Sequence, residues 1–163
     1  MKRILAVLLT VMLLAAVVSA TSVAETVSNA TTYKVYRVSY CNGRLGLREG
    51  AGNDYDVVAK LCNGKPLKLI RKCGSWYKVK TFDGVCGWVN KKNVKCGAYA
   101  NVNTSSKGLN YRKGPGMGYA VIDSFAKGTK HLLATKVSGS WAYVSKGSKK
   151  GWSKLDLLKW CNR

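Results

Sequence analysis

Apolar and polar residues alternate with a period of two through most of the chain. "KPLKLIRK" (65–72) and "WYKVKT" (76–81) place apolar side chains on one face and cations on the other, the pattern of half-buried β-strands. "FDG" (82–84) separates "WYKVKT" from "VCGWVN" and predicts a tight turn. "CNGK" (62–65) predicts another turn before the first of these strands. Outside the N-terminal segment no long stripe with the 3.6-residue period of a helix occurs. The chain therefore reads as all-β, with five or six short strands in each stretch of about 60 residues. That density suggests a small, partly open barrel rather than a sandwich.

The N-terminal segment has a different character. "MKRILAVLLTVMLLAAVVSA" opens with Lys2 and Arg3, continues through an apolar run to Val18 and ends in small residues. This is the pattern of a secretory signal peptide over 1–20, cleaved after Ala20 or, second choice, after Ala24. The run is shorter than the roughly 20 residues of a spanning helix, so no transmembrane anchor is expected after cleavage. Residues 21–32, "TSVAETVSNATT", read as a flexible lead.

Beyond residue 32 the chain writes one pattern twice. "LGLREGAGNDYDVV" (45–58) returns 64 residues later as "LNYRKGPGMGYAVI" (109–122). Leu45 matches Leu109, Arg48 matches Arg112, Gly50 and Gly52 match Gly114 and Gly116, and Tyr55 matches Tyr119. Gly64 matches Gly128 and Leu69 matches Leu133. One extra residue, placed near Val137, brings "GSW" at 74–76 onto "GSW" at 139–141, and a shorter turn in the second copy restores the spacing of 64, so that Gly87-Trp88 falls on Gly151-Trp152. The expectation is two homologous modules, 33–96 and 97–163, joined at "CGAYA".

These residues resemble the bacterial SH3 family (SH3b). The shared pattern is a leucine, an arginine and a glycine-rich turn, then a tyrosine with valines, a glycine, a tryptophan strand and Gly-Trp-Val. The first copy departs at Gly46 and Ala51, where the second has Asn110 and Pro115, and Ser153 stands where the first copy has Val89. The resemblance implies two small SH3-like β-barrels in tandem. It also implies non-catalytic binding of peptidoglycan or another cell-wall polymer, often in the service of a hydrolase.

Charge changes the picture in one respect. The chain has 28 Lys and Arg against 7 Asp and Glu, a net charge of +21. A field of that sign attracts polyanions at a distance and is screened by salt. For an exported protein an anionic cell-wall polymer is the expected partner, and nucleic acid is not. A basic effector or antimicrobial factor adhering to anionic surfaces is one alternative, and a scaffold or inhibitor docking on a separate exported hydrolase is another.

Catalysis lacks a residue set. One histidine, His131, cannot supply a Cys-His base and orienter or a zinc site. It aligns with Leu67, which predicts a half-buried strand residue. Glu49, Asp54 and Asp56 share a loop, but Lys113, Gly118 and Ala120 stand at the matching positions, so paired carboxylate chemistry is not expected. No metal or cofactor is expected.

Binding has better candidates, because aromatic rings offer flat apolar faces with polar handles. They are Tyr55, Trp76 and Trp88 in the first copy and Tyr111, Tyr119, Trp141 and Trp152 in the second. The tryptophans compete with a core role. Arg48 and Arg112 stand beside the loops, where bracing of backbone carbonyls is the favoured role. The acids of the first loop and Lys113 of the second make the second copy the expected site for an anionic ligand. Finally, six cysteines, Cys41, Cys62, Cys73, Cys86, Cys96 and Cys161, predict three disulfides in an exported chain. Only Cys161 lies in the second module, so one bridge is expected to tie the modules together.

Overall fold

A computed structural model describes residues 30–161. The expected signal peptide (1–20), most of the lead (21–29) and the last two residues of the second module lie outside the described residues. Among these, regular structure is strand, apart from two single 3-10 turns at Lys91–Asn93 and Leu155–Leu157. No described helix is long and apolar enough to cross a membrane.

The first half contributes β1 (Thr32–Val38), β2 (Leu45–Arg48), β3 (Val57–Leu61), β4 (Pro66–Cys73), β5 (Trp76–Thr81), β6 (Cys86–Asn90) and β7 (Val94–Cys96). The second contributes β8 (Ala98–Val102), β9 (Leu109–Arg112), β10 (Val121–Phe125), β11 (Leu132–Ser138), β12 (Trp141–Lys146), β13 (Lys149–Lys154) and β14 (Leu158–Trp160). All the pairings are antiparallel. They run in one continuous order, β10-β9-β13-β12-β11-β1-β4-β5-β6-β2-β3, with β7, β8 and β14 branching off that path. The sheet is therefore open, ending at β3 and β10. The all-β expectation holds, but in place of two separate, partly open barrels the strands form one open sheet.

Continuity runs through β1. Thr32, Tyr33 and Lys34 pair with Ser138, Val137 and Lys136 of β11, whereas Val35, Tyr36 and Arg37 pair with Lys68, Leu67 and Pro66 of β4. Side chains along a strand point to alternate faces, and β1 uses both. Val35 is buried in a core with Ala98, Leu109, Leu132 and Val144. Tyr36 and Val38 are buried in another, with Leu47, Leu67, Val79 and Val89. Phe82, from the β5–β6 turn, packs on the second-half core, its ring 4.8 Å from that of Trp160.

The halves are thus joined by a shared strand and not by the expected disulfide. All six cysteines are free, and five of them are exposed. Cys73 lies opposite Trp76 at one end of the β4–β5 ladder and Cys86 opposite Lys80 toward the other. The Cys161 Sγ lies 3.1 Å from the Asn101 Oδ1 as its hydrogen-bond partner.

The position of the extra residue is also corrected. Leu69 lies opposite Val79, and Ala134 opposite Val144. By strand partners, then, the spacing is already 65 before Val137. Gly64 and Gly128 share a positive φ, 78° and 72°, so the additional residue enters between Gly128 and β11. There His131 takes φ 58°, which non-glycine residues adopt sparingly. It is exposed and precedes the strand, with its backbone N–H donating to Asn101 Oδ1 at 2.9 Å. It is not a half-buried strand residue.

If β1 serves both cores, Val35→Ala should cost about 2 kcal/mol or more. Amide exchange should then speed up in β11 as well as in β1. Faster exchange confined to the first half would contradict the shared-strand account.

Candidate functional site

The doubled glycine-rich loop connects β2 to β3 and β9 to β10. Its ends are tied by Glu49 N–H to Asp56 O (3.0 Å) in the first copy and by Lys113 N–H to Ala120 O (3.1 Å) in the second. Between them a tyrosine lies flat against backbone. A Cβ added at Gly50 would overlap the Tyr55 ring, and one at Gly52 would come within 3.2 Å of it. Gly114 and Gly116 stand in the same relation to Tyr119. None of these four glycines has a positive φ. They are required by close approach, and what approaches is the protein's own tyrosine.

The arginines close the arrangement. Arg48 Nη1 donates to Tyr55 O at 2.6 Å. Arg112 Nη1 donates to Tyr119 O at 2.7 Å and to Met117 O at 3.1 Å. Each arginine reaches the loop because register sets it opposite a tryptophan and a valine: Arg48 faces Trp88 and Val57, and Arg112 faces Trp152 and Val121. One face of each tyrosine is spent on glycine, yet Tyr55 is 53% exposed and Tyr119 51%. Exposed Val57 and Val58 adjoin the first ring in sequence, and Met117, Val121 and Ile122 the second. Such part-apolar, part-polar surface suits sugar rings or peptide backbone.

The other aromatic candidates are placed differently. Trp88 is only 6% exposed, with the Arg71 guanidinium 5.1 Å from its ring centroid. Tyr111 is 4% exposed, packed in the core against Phe125. Neither offers a ligand a free face. Trp152 is half-buried, edge-on to Tyr143. The Tyr111 hydroxyl donates to Asp123 Oδ2 at 3.3 Å, and Lys149 Nζ donates to the same oxygen at 2.6 Å. The lysine's hydrogen bond holds the Asp123 carboxyl below the usual carboxylate range.

A feature that period and motif do not reveal lies on the first copy. A groove of about 260 Å³ is lined by Tyr40, Arg48, Asn53, Trp76, Asn90 and Lys92, among others. Three asparagines, Asn93 included, supply both donors and acceptors, and two rings supply stacking surface. At the matching second-copy positions stand Thr104, Met117 and Lys154. Trp76 is half-buried where Trp141 is buried. The lining comes from four separated segments, so sequence offers only the loose signal of asparagines flanking the strands. No described group of three or more His, Cys, Asp or Glu could hold a metal ion.

Residues 43–95 match the family model described as bacterial SH3 domain, and the chain contains one such domain there. A 117-residue alignment at 27% identity relates it to the putative N-acetylmuramoyl-L-alanine amidase YrvJ of Bacillus subtilis (strain 168). It covers 66% of this chain and 22% of that relative, so the chain matches about a fifth of the amidase's length. Among solved structures, NlpC2 from Trichomonas vaginalis aligns with TM-score 0.49 and 12% identity, over 82% of this chain and 50% of that one. The endolysin LysPBC5 CBD aligns with TM-score 0.35 and 18% identity, over 80% and 96%.

Gly114→Ala should displace the Tyr119 ring and cost about 1–3 kcal/mol. Gly118→Ala, in the same loop with nothing within 4 Å of an added Cβ, should stay within about 0.5 kcal/mol of wild type. Equal denaturation midpoints for the two variants would refute the close-approach role.

The Asp123 pair gives a signed pH dependence. A depressed carboxyl contributes stability above its unfolded pKa of about 3.9, and that contribution is lost as pH falls through the folded value. The stability gap between wild type and Lys149→Gln should therefore narrow from pH 6 to pH 2 in urea titrations. A gap independent of pH would show that the ion pair is not its source.

Proposed function

We propose that this chain is a non-catalytic, secreted cell-wall-binding protein built of two SH3-like units, at 33–96 and 97–163. Peptidoglycan or an associated glycopolymer is its ligand. The observation that carries the reading is the half-exposed tyrosine fixed on the glycine-rich loop within the bacterial SH3 match at 43–95. A wall amidase as a relative supports it, because the aligned stretch is a fraction of that enzyme and overlaps the SH3 region here. The first unit adds the groove of Tyr40, Trp76 and Asn90, whose amides and rings suit hydroxyls, acetamido groups and peptide bonds. Tyr119 gives the second unit a comparable loop face. Two faces on one chain raise avidity when one polymer spans both.

Cosedimentation with intact peptidoglycan tests the reading. The wild-type chain should pellet and stay bound in about 0.5 M salt, where exposed charges are screened. Tyr55→Ala and Trp76→Ala should each weaken binding roughly two- to tenfold. No pelleting at any salt concentration overturns the proposal. Complete release at modest salt, indifferent to Tyr55→Ala and Tyr119→Ala, replaces it with adhesion to anionic surfaces by charge alone. Copurification with an exported hydrolase and no binding to the wall would point to the scaffold role.

A further inference from the structure

The outer face of β4, β5 and β6 carries a charge arrangement that folding alone does not favour. Val79 is fully buried, so its neighbours Lys78 and Lys80 both point outward. Lys80 lies directly opposite Lys68, and Lys78 directly opposite Arg71. Side chains so paired have Cβ atoms about 5 Å apart, and like charges at that separation destabilise a sheet. Two such pairs sit side by side. None of β1 to β6 carries an acidic residue. The described ion pairs are Lys65–Asp83 and Lys149–Asp123, and neither involves these four cations. Arg71 lies over Trp88 and Lys68 over Phe82, 4.7 Å from its centroid, so both charges are oriented by rings.

The scaffold does not demand this. At the equivalent ladder positions of the second half, Leu133 faces Ser145 and Lys136 faces Tyr143. Opposed cations occur elsewhere as single pairs, Lys34–Lys136 and Lys146–Lys149 among them, but at these equivalent positions there are none. The loops alone point the other way, since Glu49, Asp54 and Asp56 are in the first and Lys113 in the second. The sheet face decides, because its four cations are fixed by register.

We propose that the face formed by Lys68, Arg71, Lys78 and Lys80 is a binding site for a linear phosphodiester polymer, separate from the loop faces. Three of the four are lysines, which act on phosphate as point charges, whereas carboxylate recognition draws on the free arginine fork. The two rings at the face, Trp88 and Phe82, are each capped by one of its cations, Arg71 and Lys68. Nucleobases therefore find no stacking platform, which favours a phosphodiester chain without bases.

The test uses the full chain with poly(glycerol phosphate), polyglucuronate and oligothymidylate as probes, in titrations over a range of salt. Lys78→Gln/Lys80→Gln should lower affinity for poly(glycerol phosphate) about tenfold at low salt. It should also reduce the slope of log K against log salt by about 2. Its Tm should equal or exceed that of wild type, because opposed cations have been removed. It should still pellet with peptidoglycan stripped of phosphate polymers, which separates this site from the proposed loop faces. Lys107→Gln/Lys159→Gln, with the same charge change on the second half, should leave affinity close to wild type. Several results would overturn the proposal: unchanged affinity in Lys78→Gln/Lys80→Gln, a lower Tm for it, or an equal loss in the second-half variant. Tighter binding of oligothymidylate or polyglucuronate would overturn it too.

Discussion

One seven-residue strand has to satisfy two hydrophobic cores. β1 does so because a strand shows alternate residues to opposite faces, and here both faces are buried by different neighbours. A unit of about 60 residues buries a modest fraction of its surface and is marginal alone. Sharing Val35 with one core and Tyr36 and Val38 with the other makes each half part of its neighbour's burial. Gly97 continues the coupling: its N–H donates to Val35 O, and Arg37 Nη1 donates to its carbonyl at 2.9 Å. The result is a continuous sheet in place of two separate barrels, with no covalent bridge between the halves.

That ladder geometry propagates into the loops. Register sets Arg48 beside Trp88, which puts its guanidinium within reach of Tyr55 O. The carbonyl so held fixes the tyrosine, whose ring then lies on Gly50 and Gly52. Each step is a short contact with little freedom, so the half-exposed ring is presented in a fixed orientation. A fixed ring loses less entropy on binding than a mobile one. The same sequence of contacts recurs with Arg112, Tyr119, Gly114 and Gly116.

The sequence made the strands and the doubled loop legible, because both are local: alternation of period two in β4 and β5, and glycines at fixed distance from a tyrosine. The role of Arg48 was foreseeable from its place beside the loop. Non-local features were hidden. A leucine at 133 matches Leu69 by chance of composition, which masked the extra residue that His131 absorbs with its positive φ. An even cysteine count says nothing of which strand ends the thiols occupy. The groove under Tyr40 and Trp76 is assembled from separated segments. By sequence Trp88 stands between a ligand role and a core role and Tyr111 is a ligand candidate, yet a cation covers one ring and Phe125 packs on the other.

The two halves keep the loop and differ on the outer face, and this difference has a physical meaning. Charge on an open sheet acts over roughly 8 Å at physiological salt and carries little shape information. A ring pinned on a glycine loop acts at contact distance and depends on shape. In the first half both are present: opposed cations on β4 and β5, and a groove beside Tyr55. In the second half Tyr143 and Ser145 replace Lys78 and Lys80, and the loop face remains without the charge row. The opposed cations cost stability in a unit that has little to spare. Single opposed pairs occur elsewhere, Lys34–Lys136 and Lys146–Lys149 among them, but among the described ladders two such pairs stand together only on β4 and β5. That indicates a task for this face, while the doubled tyrosine indicates a task the halves share.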